Sequence, residues 1–469
     1  MVHGVEAVKR WDPGFGVGPV VKMGELVSKI KIQMSDGLHS SRAFTSACGS
    51  SGERGGLMSF GVQIYRWIGR YLVSPFLRRN RIPQVYFTST KPCLWFHAAS
   101  VGELEALRPL IENWGRRPVA LVVTAFSPSA EWSLRDLVEK LRAEGADIAY
   151  SGYSPFEGRW REALQFFRPV LFITQRYEAW PDLWWSLAEL EIPLAIFAAT
   201  AGSSMKWMSR LNRLFLGRLP ALHLYSVESH EEHKLLELFP SAEVLSLGDL
   251  RWDRIQTRLK NRNPRVEVMQ SVLNQLERPL GVLGSVWPED WKVWEPWVQE
   301  LPGTQIWVPH KTDETSLSYF ETKFRTMGMT YCRWSQLNSE VQYPSFILVD
   351  EMGFLAELYA IADWAYVGGG FGSGVHSTME PAVSGVPIVA GTRRSERFPE
   401  IRFLRESGQL VLVQNSSELH AWLKKWVLSS EHSEPKDRFR AAVEKKCGAL
   451  TRADGVLSRL LKIDIESER

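Results

Sequence analysis

A glycine-rich segment with polar side chains just beyond it, residues 367–381 (VGGGFGSGVHSTMEP), has the residue types of an anion-binding turn. It follows a strand-like apolar run and leads into a predicted helix. Glycines let a backbone approach an anion closely, and the N–H groups and dipole at a helix start favour negative charge. It is not a dinucleotide fingerprint, because Val375 stands where the last glycine of GxGxxG would fall. The segment predicts either a phosphate-binding turn or a tight turn whose glycines only save space.

More polar groups are expected around this turn. The polar side chains of the segment are predicted in the first turns of the helix, where hydroxyls meet phosphate and a carboxylate accepts ribose hydroxyls. Neighbouring strands are predicted to end at Ser285 and at His310-Lys311. His310 and Lys311 are two potential cations that would stabilise a departing phosphate, although a lone histidine can also be structural. The predicted phosphate or ribose contacts are Ser285, His310, Lys311, Gly370, Gly372, Gly374, His376, Ser377, Thr378 and Glu380.

Two carboxylates follow predicted strands in the first half of the chain. Glu103 comes just after residues 94–98, and Glu178 just after residues 171–174. A carboxylate at the carboxyl edge of a parallel sheet could act as a general base toward an incoming hydroxyl. Glu103 could instead only favour the positive end of its helix. The sequence leaves open which carboxylate is the base and which positions it.

The composition excludes several classes of protein. The chain has 469 residues, of which 45% are hydrophobic and 23% charged, so two globular domains are expected. Its four cysteines (48, 93, 332 and 447) form no CxxC pair, which indicates a reducing compartment and argues against a zinc site or a disulfide framework. No metal-ligand pattern, signal peptide or run of roughly 20 apolar residues is present in the sequence.

The N-terminal part of the chain differs from the rest. Residues 1–57 lack a sustained hydrophobic period and are rich in Gly and Ser, so they are expected to be disordered or to precede the true start at Met58. Residues 58–82 predict a basic amphipathic helix, with apolar residues at helical spacing and Arg66 and Arg70 on another face. Such a helix could lie in a membrane interface, or it could pack on its own domain.

From residue 83 onward, strand-like and helix-like patterns alternate. This rhythm predicts two doubly wound parallel sheets, in domains 83–255 and 266–469, with a linker at 251–265 and ligands in a cleft at the carboxyl ends of the strands. The last helix is expected to pack back on the first domain. Helices are predicted at 130–144 and 207–216. The predicted strands are 94–98, 119–124, 171–174, 194–199, 223–227, 281–285, 305–309, 346–349, 364–368, 386–390 and 409–413.

From Met58 onward, a series of motifs resembles the 3-deoxy-D-manno-octulosonic acid (Kdo) transferases, which are glycosyltransferases of the GT-B fold. Each motif is weakly specific, but their order along the chain is that of the family. They are FHAASVGE (96–103), VTAFSPS (123–129), YSPFEGRW (153–160), YEAWPDL (177–183), GDLRWD (248–253), GSVWPED (284–290), VPHK (308–311) and GGGFGSGVHSTMEPAVSGVP (368–387).

The resemblance implies transfer of Kdo from CMP-Kdo to a lipid A precursor, with inversion, on the cytoplasmic face of the inner membrane. It gives Glu103 the position of the catalytic base and puts the CMP-sugar at the turn that carries His376 and Glu380. It implies a peripheral or monotopic protein that needs no cofactor or essential metal and binds no nucleic acid. By the same resemblance, the acceptor-binding residues are Ser100, Gly102 and Glu178, and Arg251 joins the donor-binding residues.

The chain departs from the family pattern at several positions. Arg176 stands where the family has the first glutamate of ETELWP, and residues 198–202 (AATAG) stand where it has NARLS. Arg251 replaces a lysine, and Ser377 an asparagine. These departures leave three alternatives open: a modified lipid A or different acceptor, a silent relative that only binds lipid A precursor or CMP-Kdo, and an enzyme of the same fold that uses a UDP-sugar.

Overall fold

A computed structural model describes residues 66–67, 89–176, 178–215, 219–260, 270–337, 344–428 and 435–462. The predicted disordered extension at 1–57 and most of the predicted helix at 58–82 lie outside the described residues. All the structure described here falls in one compact unit, Tyr65–Arg469.

The first domain is built on a parallel sheet, with seven strands among the described residues in the order β3-β2-β1-β4-β5-β6-β7. Every residue of β1, β2 and β5 is buried, as expected for central strands covered by helices on both faces. The strands predicted for this domain are confirmed, and β3 and β7 are additional. The strands are β1 (Cys93–Ala98), β2 (Ala120–Ala125), β3 (Asp147–Tyr153), β4 (Leu171–Gln175), β5 (Leu194–Ala199), β6 (Leu222–Ser226) and β7 (Glu243–Ser246).

Helices connect these strands, in the βαβ pattern that parallel strands require. The helices predicted at 130–144 and 207–216 are both confirmed, with small shifts of their ends. The helices are α1 (Val101–Gly115), α2 (Glu131–Ala143), α3 (Trp160–Phe167), α4 (Pro181–Glu189), α5 (Ser203–Phe215) and α6 (Ser229–Leu238), with a 3₁₀ turn at Pro128–Ala130.

The second domain repeats the architecture with a sheet ordered β10-β11-β9-β8-β12-β13-β14, again parallel throughout its described strands. All its predicted strands are confirmed, and β10 is additional. The strands are β8 (Leu280–Val286), β9 (Thr304–Pro309), β10 (Tyr331–Arg333), β11 (Phe346–Leu348), β12 (Trp364–Val367), β13 (Ile388–Gly391) and β14 (Leu410–Val413). The helices from the inter-domain segment onward are α7 (Leu250–Lys260), α8 (Gln270–Leu273), α9 (Pro288–Trp294), α10 (Glu314–Thr326), α11 (Leu355–Ile361), α12 (Met379–Val383), α13 (Pro399–Glu406), α14 (Ser416–Trp426), α15 (Pro435–Glu444) and α16 (Ala449–Leu461), with 3₁₀ turns at Trp334–Gln336 and Ser395–Arg397.

Of the stretch predicted as a weakly patterned linker, residues 251–260 belong to the helix α7, whose charges pair with both domains, and residues 261–265 lie outside the described residues. Its Leu250 packs in the first core, whereas Trp252 packs among residues of the second. Arg254 donates to the Glu105 carbonyl at 2.9 Å, and Arg258 binds Glu357 at 2.8 Å and 3.0 Å. The charges that made this stretch look like a solvated linker are therefore ion-pair partners.

The C-terminal helix α16 contributes to the core of the first domain. Ala449, Ala453 and Leu457 are fully buried in the cluster that holds the strands of the first sheet. Asp454 also pairs with Arg117 at 2.6 Å. The chain thus crosses twice between the domains, by α7 and by α16.

Within the predicted amphipathic helix, Arg66 and Trp67 are described. Arg66 lies 2.6 Å from the buried Asp182 and 3.0 Å from Glu189, both on α4. The charge of Arg66 is therefore paired with carboxylates of the first domain and is not available to membrane head groups. No helix in the described ranges has the length and apolar character to cross a bilayer.

Candidate functional site

Glu103 is held at the carboxyl end of β1, where α1 begins. Its side chain turns back and accepts hydrogen bonds from the backbone N–H groups of Ala99, at 2.7 Å, and Ser100, at 3.2 Å. These are donors that a helix start leaves unpaired, so the contact fixes the carboxylate at the edge of the sheet. Of the two other residues predicted here, Ser100 is half-buried at the helix start and Gly102 is exposed.

Glu178 follows β4 and acts electrostatically on Glu103. Burial, and next the charge of Glu178, raise the pKa of Glu103 to about 8, against the lowering effect of the two backbone hydrogen bonds and of Arg176. Glu178 itself is 5% exposed, accepts the indole N–H of Trp180 and lies 3.6 Å from His97 Nε2. The two predicted carboxylates therefore belong to one charged cluster.

A chain of ion pairs leads from this cluster into the second domain. Arg176 lies 4.0 Å from Asp249, which binds Arg251 at 2.6 Å, and Arg251 is 3.3 Å from Glu400 on α13. Burial alone would raise the pKa of Asp249, but Arg251 and its hydrogen bonds hold it below its usual value. Arg251, predicted to bind the donor, is thus held by carboxylates from both domains. Sequence reasoning missed Asp249 and Glu400, although Asp249 lies in the quoted GDLRWD motif.

The glycine-rich turn after β12 is joined to the start of α9, which follows β8, through Asp290, a third residue that sequence reasoning missed. Asp290 is fully buried and accepts the backbone N–H groups of Trp287, at 2.8 Å, and Gly369, at 2.9 Å. Its other oxygen accepts the hydroxyl of Tyr366 at 2.6 Å. Near the end of β8, Ser285 has a left-handed backbone with φ of 54°, at a bulge in the strand. Backbone strain of this kind is commonly found at ligand sites.

The glycines of the turn serve different purposes. A Cβ on Gly370 would lie 2.5 Å from the Gly391 backbone, so this glycine saves space against the neighbouring strand. Gly374 has a φ of 121°, which disfavours other residues. A Cβ on Gly372 would come 3.1 Å from the Glu289 carboxylate. The space-saving interpretation therefore holds at Gly370, whereas Gly374 is explained by its backbone conformation.

Gly370→Ala is expected to lower the free energy of unfolding by about 1–3 kcal/mol, because two backbones must separate to admit the new methyl group. Denaturant unfolding followed by tryptophan fluorescence would measure the change. Gly455→Ala is the matched control: a Cβ there meets nothing within 4 Å, and alanine favours the helix. Equal stability of the two variants would contradict the packing account of Gly370.

The amides and the helix at the turn differ from prediction. The N–H groups of Gly372 and Gly374 both donate to the Gly369 carbonyl, at 3.0 Å and 2.8 Å, so these two amides are not free for an anion. The helix begins only at Met379, so His376 and Ser377 lie in the loop before it. Ser377 is exposed, and Thr378, which precedes the helix, is fully buried.

His310, a potential cation in the sequence, lies in a stack of aromatic rings. The His310 ring stacks against both Trp287 and His376, with centroid distances of 4.5 Å and 4.4 Å. Burial, followed by the charge of Lys311, lowers the pKa of His310, and burial, followed by His310, lowers the pKa of His376 to about 4. Both rings are therefore neutral near pH 7, which leaves the exposed Lys311 as the cation of this strand end.

Glu380 on α12 faces the helix that joins the domains. Its carboxylate lies 4.0 Å from Arg258. Burial and then the charge of Glu357 raise the pKa of Glu380, while Arg258 and Arg254 oppose the change. The predicted ribose acceptor is therefore part of a charged cluster that also includes α7.

A cavity of about 1240 Å³ opens between the two domains, beside the residues predicted from sequence and not on them. The first domain lines it with residues 200–203, 227, 228, 230 and 231, and the second with residues 395, 396, 398, 399, 401, 402, 405, 406 and 410–412. Residues 198–202, which differ from the family pattern NARLS, thus line this cavity with Thr200, Ala201 and Gly202. Among the described residues, no group of three or more His, Cys, Asp or Glu side chains could hold a metal ion.

Comparisons with known proteins agree with this architecture. The family model described as 3-deoxy-D-manno-octulosonic-acid transferase (kdotransferase) matches residues 76–254. The Kdo transferase of Chlamydia muridarum is 28% identical over 342 residues, which is 70% of this chain and 77% of that protein. The Kdo transferase of Aquifex aeolicus is 25% identical over 346 residues, or 72% and 86% of the two chains.

Solved structures with the same fold include the Glycyrrhiza uralensis glycosyltransferase UGT73P12, with a TM-score of 0.56, 11% identity and coverage of 80% of this chain and 96% of that one. The UDP-GlcNAc 2-epimerase of Neisseria meningitidis has a TM-score of 0.52 and 11% identity, covering 79% of this chain and 100% of its own. At this identity the likeness concerns the fold alone. The chain is therefore similar to the Kdo transferases, by the family match over residues 76–254 and by these relatives, and its two domains have the GT-B fold.

Proposed function

We propose that this protein is an inverting glycosyltransferase that moves Kdo from CMP-Kdo to a lipid A precursor in lipopolysaccharide biosynthesis. The observation that carries the proposal is the Glu103 carboxylate, fixed at the edge of the first sheet with its pKa raised to about 8. A general base works best when its pKa lies near the working pH. The relatives at 25–28% identity, named as Kdo transferases, support the choice of sugar.

In the proposed reaction, an acceptor hydroxyl oxygen attacks the anomeric carbon of Kdo while Glu103 takes its proton. The new C–O bond forms as the bond from that carbon to the CMP phosphate oxygen breaks on the opposite face, which inverts the configuration. CMP leaves with the bonding electrons. Lys311 and the Ser285 hydroxyl stabilise the charge on the departing phosphate, together with neutral N–H donors from His310 and His376.

The donor is proposed to lie against the second domain, at the turn that carries Gly370, Gly372 and Gly374. Ser377, Thr378 and Glu380 follow this turn, and Arg251 approaches from α7. The acceptor is proposed to lie against the first domain near Ser100, Gly102 and Glu178, and to extend toward the cavity at residues 200–203. Membrane association on the cytoplasmic face of the inner membrane is part of the proposal. No cofactor, essential metal or nucleic acid is required.

Binding of nucleotides tests the donor half of the proposal. Isothermal titration with CMP, CMP-Kdo and UDP-GlcNAc is expected to show binding of the two cytidine compounds and much weaker binding of the uridine compound. Binding of UDP-GlcNAc alone would contradict the proposal and favour the UDP-sugar alternative. Binding of CMP-Kdo without transfer to any acceptor would favour a silent relative.

Glu178→Gln is expected to move the acidic limb of the kcat/KM profile to lower pH by roughly one unit. Only deprotonated Glu103 can accept a proton, so the rate should rise as pH passes through the Glu103 pKa. Removing the like charge of Glu178 lowers that pKa, so the rise comes at lower pH. The pH dependence of Kdo transfer measures the limb, and Glu112→Gln, at the other end of α1, should leave it in place. An unmoved limb in Glu178→Gln would show that Glu178 does not influence the base.

A further inference from the structure

We propose that Trp287 is a positioning residue of the donor site, whose indole N–H holds His376 in a single neutral tautomer with the Nδ1–H directed at an anionic oxygen of the sugar nucleotide. This inference rests on the proposed function, because it assumes a nucleotide donor at the glycine-rich turn. Trp287 lies in the GSVWPED motif but was not among the residues that sequence reasoning selected.

The contact itself fixes the tautomer. Trp287 Nε1 lies 2.9 Å from His376 Nε2. An indole nitrogen can only donate, so His376 Nε2 must accept. In a neutral imidazole the accepting nitrogen carries no proton, and the proton is therefore on Nδ1.

Packing holds the pair in this geometry. The Trp287 and His376 rings are almost parallel, at 2° between planes, and His310 stacks against both. Asp290 accepts the Trp287 backbone N–H and that of Gly369 in the turn. The indole is therefore anchored to the segment that carries His376. A second proton on His376 would point at the indole N–H, and burial disfavours it as well.

The opposite edge of the His376 ring is left for a ligand. His376 is half-buried and follows the turn directly, and no described protein group hydrogen-bonds its Nδ1. A fixed, neutral N–H donor suits a phosphate or carboxylate oxygen, both of which a CMP-linked sugar acid carries. Lys311 supplies the positive charge nearby, whereas His376 supplies an N–H donor in a fixed orientation.

The test compares Trp287→Phe with Trp297→Phe in the full chain. Phenylalanine keeps an aromatic ring but lacks the N–H group. Trp297 is a matched control in the same domain, because its indole stacks on His420 at 3.7 Å and donates to the Ser416 carbonyl at 2.9 Å. The measurements are ¹⁵N NMR of histidine-labelled protein, with the His376 signals assigned by their loss in His376→Gln, and the Kd for CMP by titration.

The unaltered protein is expected to show one His376 tautomer, with the proton on Nδ1. Trp287→Phe should mix the tautomers and weaken CMP binding about tenfold, the effect of one hydrogen bond of about 1.4 kcal/mol. Trp297→Phe should change neither measurement. A proton on His376 Nε2 in the unaltered protein, or unchanged CMP affinity in Trp287→Phe, would overturn the inference.

The two proposals fail separately. If the protein binds CMP and the tautomer is as expected, but no Kdo is transferred, the proposed reaction fails and the role of Trp287 in nucleotide binding stands. If Trp287→Phe does not fold, the tautomer in the unaltered protein still decides whether the indole contact exists.

Discussion

Replacing Glu103 by glutamine is expected to lower the kcat of Kdo transfer by about 10²- to 10⁴-fold, the usual contribution of a general base. Glutamine keeps an oxygen that can accept the N–H groups of Ala99 and Ser100, so the start of α1 should be preserved. It cannot take a proton from the acceptor hydroxyl. The effect should therefore fall on kcat, while the Kd for CMP stays the same.

Steady-state transfer from CMP-Kdo, measured beside CMP titration, separates these two effects. Glu112→Gln is the matched control on α1, because the ion pairs of this residue with described residues are those with Arg108 and Lys140, near the surface. It should retain full transfer. If Glu103→Gln kept wild-type kcat, the base would have to be another group, or the protein would act without one.

Asp290→Ala is expected to lower the free energy of unfolding by about 3 kcal/mol and to abolish most CMP binding. The substitution leaves the buried N–H groups of Trp287 and Gly369 and the hydroxyl of Tyr366 without their acceptor. It also releases the glycine-rich turn from the start of α9. Denaturant unfolding measures the first effect, and CMP titration the second.

Asp290→Asn is the informative partner of this variant. Its amide oxygen can accept both backbone N–H groups, and its NH₂ group can donate to the Tyr366 hydroxyl oxygen, so the network can survive. A much smaller loss than in the alanine variant is expected. Equal, large losses in both variants would mean that the negative charge of Asp290, and not its hydrogen bonds, joins the turn to the start of α9.

The fold was largely predictable because central parallel strands have a strong sequence signature. β1, β2 and β5 are continuous buried runs, and the pattern identified them. The strands that were missed, β3, β7 and β10, all lie at sheet edges. Their residues are mostly half-buried, so their sequences lack the apolar run that marks a central strand.

The candidate site was only partly predictable, because its geometry depends on contacts between distant parts of the chain. The position of Glu103 follows from a local strand-to-helix pattern. The ion pair of Arg251 with Glu400 and the hydrogen bond of Asp290 to Gly369 join residues far apart in sequence, with no local signal. The neutral state of His310 likewise results from burial against Trp287 and His376, which the spacing of VPHK cannot reveal.

The proposed function is tested most directly by the product of the reaction. Purified protein would be incubated with CMP-Kdo generated in situ and a tetraacylated lipid A precursor, and the lipid analysed by mass spectrometry. We expect the lipid to gain the mass of one or more Kdo units, and the gain to disappear in Glu103→Gln. An unchanged lipid mass, under conditions where CMP-Kdo binds to the protein, would contradict Kdo transfer to this acceptor.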